Sequence, residues 1–379
     1  MNRGESFLAA SDRSPSALID HADRYLTRPS AIVTTSGSTG EPKGVILSAE
    51  AIRASCDAFR SRYGSYTWTN VLPPHYVAGL MVCARGIADE AYGQDGVRWA
   101  SSDLKDLSMC IGRTEGERNA ISLVATQAVR ALEDEKISST LARYDLILLG
   151  GSAISARLVE RCREAGWKII ISYGMSETCG GCVYDGYALE GVNIDIDDDG
   201  RIHLSGPMVC DGYLRSGDEN TPIENGSIAT SDRGHIIEGR LEVLGRMDDI
   251  VITGGINVDL SYIQRVVDEV VEQLRSDESM ISAEAWESSE CDHRHARHGV
   301  VIAVTDQEWG EKIVLFVDGY RSCGDRNIRQ IWKEYLESRL QPYEIPKEVI
   351  AIKRWPMTST GKIDRQRLVT LCEPDGSQQ

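Results

Sequence analysis

The stretch TTSGSTGEPKG, residues 34–44, gathers hydroxyls, glycines and a lysine in one short run. Gly37 and Gly40 allow backbone N–H groups to converge, Thr35, Ser36, Ser38 and Thr39 offer hydroxyls, and Lys43 adds a positive charge. That composition suits a phosphate-like anion. It is not the standard nucleoside-triphosphatase loop, which needs Gly, four residues and then Gly-Lys-Ser/Thr. Here Glu41 and Pro42 separate Gly40 from Lys43, and Gly44 follows the lysine. Taken alone, the run fits a phosphate cradle and a Gly/Ser turn between two strands equally well.

Four later stretches carry complementary groups. Residues 148–155 end an apolar run on Gly150, Gly151 and Ser152, and residues 173–181 (YGMSETCGG) set Tyr173, Glu177 and Thr178 together. Residues 230–255 bring Asp232, Arg246, Asp248 and the pair Gly254–Gly255, and residues 356–368 place Lys362 in a Gly-Lys turn. Each has an ordinary reading too: Asp232 as a turn carboxylate, Arg246 and Asp248 as a surface pair, Lys362 as a solvated loop lysine. Cys179 and Cys182 form a CxxC, but a zinc site would want a second pair at similar spacing. The histidine-rich run 291–299 reads as a solvated polar loop.

The elements that must position these groups alternate. AIVTTS, GVILS, ISLVAT, YDLILLGG and WKIIISYG are short, apolar and bounded by turn residues, with helical patterns such as SAEAIRASCDAFRSRYG and SARLVERCREAG between them. That order predicts an α/β fold, a large N-terminal domain with mostly parallel sheets whose ligands sit at the strands' C-terminal ends. From about residue 190 the texture becomes hairpins and a meander, a β-rich portion. A small α+β unit follows, with the boundary near 245–249, which gives domains of 1–247 and 248–379.

The 379 residues carry a net charge of −17, with 41% hydrophobic and 26% charged residues. The acidity argues against nucleic acid or an anionic membrane as partner, so an anionic ligand must meet locally placed cations. No apolar run approaches membrane length and the N-terminus has no secretory pattern. The ten scattered cysteines fit a reducing compartment. The expectation is a cytoplasmic protein without membrane insertion, with a homodimer left open.

In this order, the five motifs resemble the signature of the adenylate-forming superfamily of acyl-CoA synthetases, adenylation domains and luciferases, over residues 31–368. Within it, YGMSETCGGCVYDGYALEGV, LPPHYVAGL and ISLVATQ resemble the o-succinylbenzoate–CoA ligase branch in its short actinobacterial form, the menaquinone-pathway branch. The resemblance implies a small mobile C-terminal domain and a two-step reaction. A carboxylic acid and ATP with Mg²⁺ give an acyl-adenylate and pyrophosphate, and coenzyme A then gives the thioester.

The resemblance also implies roles. The loop from Thr35 to Lys43 holds the β- and γ-phosphates, Thr178 meets the α-phosphate and Glu177 ligates Mg²⁺. Tyr173 stacks on adenine beside Gly150, Gly151 and Ser152, Asp232 accepts the ribose hydroxyls, and Arg246 supports the ribose and phosphates. Lys362 bridges the carboxylate and the α-phosphate. Asp248 is the hinge, and Gly254–Gly255 line the path of the thiol. Acyl-pocket residues are His75, Tyr76, Arg85, Thr126 and Gln127, with Arg85, Thr126 and Gln127 as candidates for the aromatic carboxylate. Relatives usually carry His where Tyr76 stands, with His75 one place earlier here. Another aryl- or fatty-acid–CoA ligase, a domain that loads a carrier protein, and a non-catalytic nucleotide binder stay open beside this reading.

Overall fold

In the computed structural model, the residues described are 7–9, 30–36, 42–112, 116–214, 221–223, 226–276, 298–306, 308–318, 325–357 and 363–372. By its internal contacts the chain divides into two units, Met1–Thr230 with Gly234–Glu242, and Ser231–Arg233 with Val243–Gln379.

The first unit is built on a seven-stranded sheet. Its strands are β4 (Thr67–Asn70), β5 (Val97–Trp99), β6 (Asn119–Val124), β7 (Leu146–Gly150), β8 (Ile169–Met175), β9 (Gly180–Tyr184) and β10 (Tyr187–Ala188), in spatial order 10-9-8-7-6-4-5. From β8 to β5 every pairing is parallel, and β9 and β10 add antiparallel pairings at one side. Successive residues of β7 serve opposite faces, as the pleat requires. Ile147 and Leu149 pack with α3 (Ala125–Leu132), α4 (Glu135–Leu141) and α5 (Ala156–Glu164). Leu146 and Leu148 join Phe59, Trp68, Val82 and Tyr184 beneath α1 (Ala49–Tyr63) and α2 (Val77–Asp89). A sheet covered on both faces explains why all of β4 is buried despite its polar sequence TWTN.

A second sheet runs β1 (Phe7–Ala9), β2 (Ser30–Ser36), β3 (Pro42–Ser48), β13 (Gly212–Leu214) and β14 (Thr221–Pro222). The alternating pattern predicts mostly parallel sheets. Instead β2 and β3 pair antiparallel, Ser36 opposite Pro42, because no helix intervenes to carry the chain back. Ser48 caps α1 by accepting from Ala51 N at 3.3 Å, which fixes where the helix begins. The hairpin expected after residue 190 is β11 (Asn193–Ile196) with β12 (Arg201–Ser205), in a four-stranded sheet with β15 (Ser227–Ile237) and β16 (Arg240–Arg246).

The second unit holds β17 (Ile250–Thr253), β18 (Ile256–Asp259), α6 (Leu260–Ser276), β19 (Gly299–Asp306), β20 (Gly310–Val317), α7 (Asp325–Glu337), β21 (Glu348–Ala351) and α8 (Arg365–Cys372). Val301, Leu315 and Val317 face Ile263, Val267 and Trp332, while Val300, Val314 and Phe316 face Leu368, giving one sheet two apolar layers. Among the described residues no helix is long and apolar enough to cross a membrane.

Candidate active site

Parallel strands deliver the loops that follow them to one edge, and four candidate stretches leave that edge. β4 leads to His75 and Tyr76, half-buried with ring centroids 4.3 Å apart at the start of α2. β6 leads to Thr126 and Gln127, β7 to Gly151 and Ser152, and β8 to the turn Ser176–Thr178. Gly150 pairs with Val124, and a side chain at Gly150 would come within 3.2 Å of Ser172 O. Gly151 has φ +82°, which favours glycine. Tyr173 lies on β8 opposite Val183, packed against the cluster of Cys182 and Val183.

Lys43 arrives from the other sheet. Its Nζ donates to Glu177 Oε1 at 3.0 Å, and Tyr213 Oη donates to the same oxygen at 3.1 Å. The Tyr213 ring face lies 3.9 Å from the ammonium. Tyr213 reaches this point because β13 pairs with β3, with Tyr213 opposite Val45. The main chain secures the turn as well, Cys210 N donating to Glu177 O at 2.7 Å. With side chains 26% and 12% exposed, the Lys43–Glu177 pair is half-buried and its ammonium stays open to solvent. Among the described residues Glu177 Oε2 has no hydrogen-bond partner.

Thr178 corrects an expectation. It is fully buried, and its hydroxyl accepts from Met175 N at 3.0 Å and donates to Gly180 O at 2.7 Å. In this state the hydroxyl closes the turn instead of standing free for an α-phosphate. The turn also depends on Gly174, where a Cβ would sit 2.1 Å from Gly180 O. Since that neighbour is backbone, Gly174→Ala is expected to destabilise the protein by about 1–3 kcal/mol. Urea denaturation checks this, and an unchanged midpoint would show that β8 and β9 can separate without cost.

On α2, Arg85 is 5% exposed. Its guanidinium lies 4.7 Å from the Phe59 ring and 5.6 Å from Trp68, and one terminal nitrogen donates to Tyr184 Oη at 2.9 Å. Its Nε has no partner, and among the described residues no carboxylate pairs with it. Asp89, one turn on, is engaged elsewhere: it accepts from Tyr66 N and Trp68 Nε1 and pairs with Arg60 at 3.6 Å. Burial still raises the Asp89 pKa. Gln127 corrects a second expectation. Its Oε1 accepts from Val124 N and its Nε2 donates to Ser102 O, so the amide holds the start of α3 and is not free for a substrate carboxylate.

In the second unit, Arg246 pairs with both oxygens of Asp248 at 2.7 and 2.8 Å and stands 4.0 Å from Asp232. The Arg246 hydrogen bond holds the Asp248 carboxyl below its usual range. Gly254 (φ +57°) and Gly255 (φ +80°) form the turn between β17 and β18, pinned by Gly254 N donating to Trp309 O at 2.9 Å. Gly37, Ser38, Thr39, Gly40 and Lys362 lie outside the described residues, as do 291–297. Thr35 and Ser36 are placed as backbone on β2. The CxxC serves packing, Cys179 in one apolar cluster and Cys182 in another, with burial raising both thiol pKa values, that of Cys182 to about 12.

Sequence reasoning missed Tyr213 and the Phe59–Trp68–Tyr184 cage. Tyr184 lies within YGMSETCGGCVYDGYALEGV but carries no assigned role there, and Tyr213, Phe59 and Trp68 lie outside the five motifs; the packing of strands and helices brings them to these places.

Comparison with known proteins finds relatives over most of the chain. A family model described as AMP-binding enzyme matches residues 9–228, and the AMP-binding enzyme C-terminal domain matches 287–362. A "probable 2-succinylbenzoate–CoA ligase" of Mycobacterium tuberculosis is 30% identical over 342 residues, covering 89% of this chain and 83% of the relative. The 2-succinylbenzoate–CoA ligase of Listeria monocytogenes is 27% identical over 378 residues, covering 95% and 73%. The solved o-succinylbenzoate CoA synthetase of Bacillus subtilis, in complex with its acyl-adenylate intermediate, superposes with a TM-score of 0.70 at 25% identity, covering 89% and 68%.

Proposed function

The chain belongs to the AMP-binding enzyme family, and from that premise we propose that it is an acid–thiol ligase converting o-succinylbenzoate to o-succinylbenzoyl-CoA, a step of menaquinone synthesis. The observation that carries the substrate is Arg85. A buried guanidinium with an unpartnered Nε and, among the described residues, no counter-anion is costly to keep, since an uncompensated buried charge costs about 3–5 kcal/mol. Tyr184 and the aromatic faces offset part of that cost. A substrate carrying a second carboxylate supplies the missing charge, and o-succinylbenzoate carries one on its ring.

The reaction is two displacements. The succinyl carboxylate oxygen attacks the α-phosphorus of ATP, and the bond to pyrophosphate breaks. The thiolate of coenzyme A then attacks the acyl carbon, and AMP leaves. The first step brings two anions together, so the protein's work is charge neutralisation and positioning. Lys43, with the loop before it, is assigned to the leaving pyrophosphate, and Tyr173 with Gly150, Gly151 and Ser152 to adenine. Asp232 and Arg246 are assigned to the ribose, and Lys362 to the charge at the α-phosphate. His75, Tyr76 and Thr126 are assigned to the acyl pocket, Gly254–Gly255 to the thiol path and Asp248 to the hinge.

Magnesium would be held through Glu177. Mg²⁺ typically uses one or two carboxylates together with substrate phosphates. The donor set fits: among the described residues Glu177 keeps one carboxylate oxygen without a partner. The ion would neutralise phosphate charge as it arrives with the nucleotide. The cytoplasm as location and a homodimer as assembly belong to the same proposal.

Pyrophosphate release with ATP, Mg²⁺ and coenzyme A tests the reading across o-succinylbenzoate, benzoate, a medium-chain fatty acid and several amino acids. Turnover with o-succinylbenzoate alone supports both reaction and substrate. Turnover with another acid would keep the reaction and remove Arg85 from its role. Nucleotide binding without turnover would favour a non-catalytic binder.

A further inference from the structure

Tyr213 has no part in the reaction as set out above, yet it touches both members of the Lys43–Glu177 pair. Its hydroxyl donates to Glu177 Oε1 at 3.1 Å, and its ring face lies 3.9 Å from Lys43 Nζ. Lys43 donates to that same oxygen at 3.0 Å. Two donors converge on one carboxylate oxygen, and among the described residues the other accepts nothing.

The two donors differ in what a nucleotide does to them. An arriving phosphate competes for an ammonium ion, and the half-buried Lys43 side chain keeps 26% of its surface open to one. It has no comparable pull on a neutral phenol. Once Lys43 turns to phosphate, the long Glu177 side chain would regain rotamer freedom unless something else held it. We propose that Tyr213 is a positioning residue that holds Glu177 Oε1 after Lys43 leaves, keeping Oε2 presented to a divalent cation. The aromatic face meanwhile lies over the ammonium group itself, 3.9 Å from Lys43 Nζ. Strand pairing supplies the rigidity, since Tyr213 and Lys43 sit on adjacent, directly bonded strands and Cys210 N fixes the Glu177 main chain. The inference rests on the ATP-dependent reading above.

The test is calorimetric titration of the full-length protein with ATP, in Mg²⁺ and in EDTA. Tyr213→Phe keeps the ring and removes the hydroxyl. Expected are an ATP Kd about tenfold weaker in Mg²⁺, as for loss of one hydrogen bond to a charged group, and an unchanged Kd in EDTA. Tyr213→Leu also removes the ring, and is expected to weaken binding in EDTA as well. Equal weakening of Tyr213→Phe in both buffers would make Tyr213 a purely structural residue and overturn the inference, as would no weakening in either. The wild-type protein separates this inference from its premise. Binding of ATP with no gain from Mg²⁺ overturns the role of Tyr213 alone, whereas failure to bind ATP in either buffer overturns the ATP-dependent reading beneath it.

Discussion

Arg85→Leu is expected to raise the KM for o-succinylbenzoate by about 100-fold or more while leaving the KM for ATP near its wild-type value. Loss of one partner from a buried, hydrogen-bonded charge pair typically costs about 2–5 kcal/mol, and in the proposed function the second partner is the substrate. Without substrate the sign reverses. Replacing a buried charge that lacks a counter-ion with an apolar side chain is often neutral or stabilising. Arg85→Leu should therefore melt no lower than the wild type, although its activity collapses. An arginine serving only the core would lose stability with its contacts to Tyr184, Phe59 and Trp68. Steady-state kinetics and a thermal melt on the same preparation separate the two. An unchanged KM would remove Arg85 from the acyl pocket.

Lys362→Ala should divide the reaction at its midpoint. Acyl-adenylate formation, read as pyrophosphate release, is expected to fall by about 10²–10³-fold, the scale for losing one group that meets developing charge. Thioester formation from synthetic o-succinylbenzoyl-adenylate and coenzyme A should stay close to wild type, because the α-phosphate displacement is already complete. Equal loss in both half-reactions would mean that the lysine serves binding or folding. No loss in either would refute its assignment.

The α/β class was legible because parallel strands buried on both faces read as continuous apolar runs. ISLVAT, YDLILLGG and WKIIISYG became β6, β7 and β8. β4 was not legible: TWTN offers no periodicity, and its burial is decided by the helices that cover it. Motif residues on the loops after the strands were legible one at a time, as Glu177 and Gly151 show. Their partners were not. Tyr213 reaches Glu177 across 36 residues of chain through a three-residue strand, and Tyr184 reaches Arg85 across 99. Such pairs follow from how strands, turns and helices pack together over long range, which local patterns do not encode. Thr178 and Gln127 fail in the opposite sense. Their types suit a ligand, but buried turns and helix starts need the same donors and acceptors, and those needs come first where water is excluded.

The chain does not pass from one unit to the other at a single peptide bond. Ser231–Arg233 belongs with the later residues, Gly234–Glu242 returns to the earlier ones, and Val243 leaves again. A graft that exchanged the C-terminal portion at one junction, as modular engineering does, would separate Asp232 from Arg246, its neighbour at 4.0 Å. It would likewise separate Arg233 from Asp259, with which it forms an ion pair. Any transplanted C-terminal portion therefore has to bring β15 and β16 with it. By the same logic, natural recombination between members of this family should tolerate crossovers before Ser227 better than crossovers between 231 and 246.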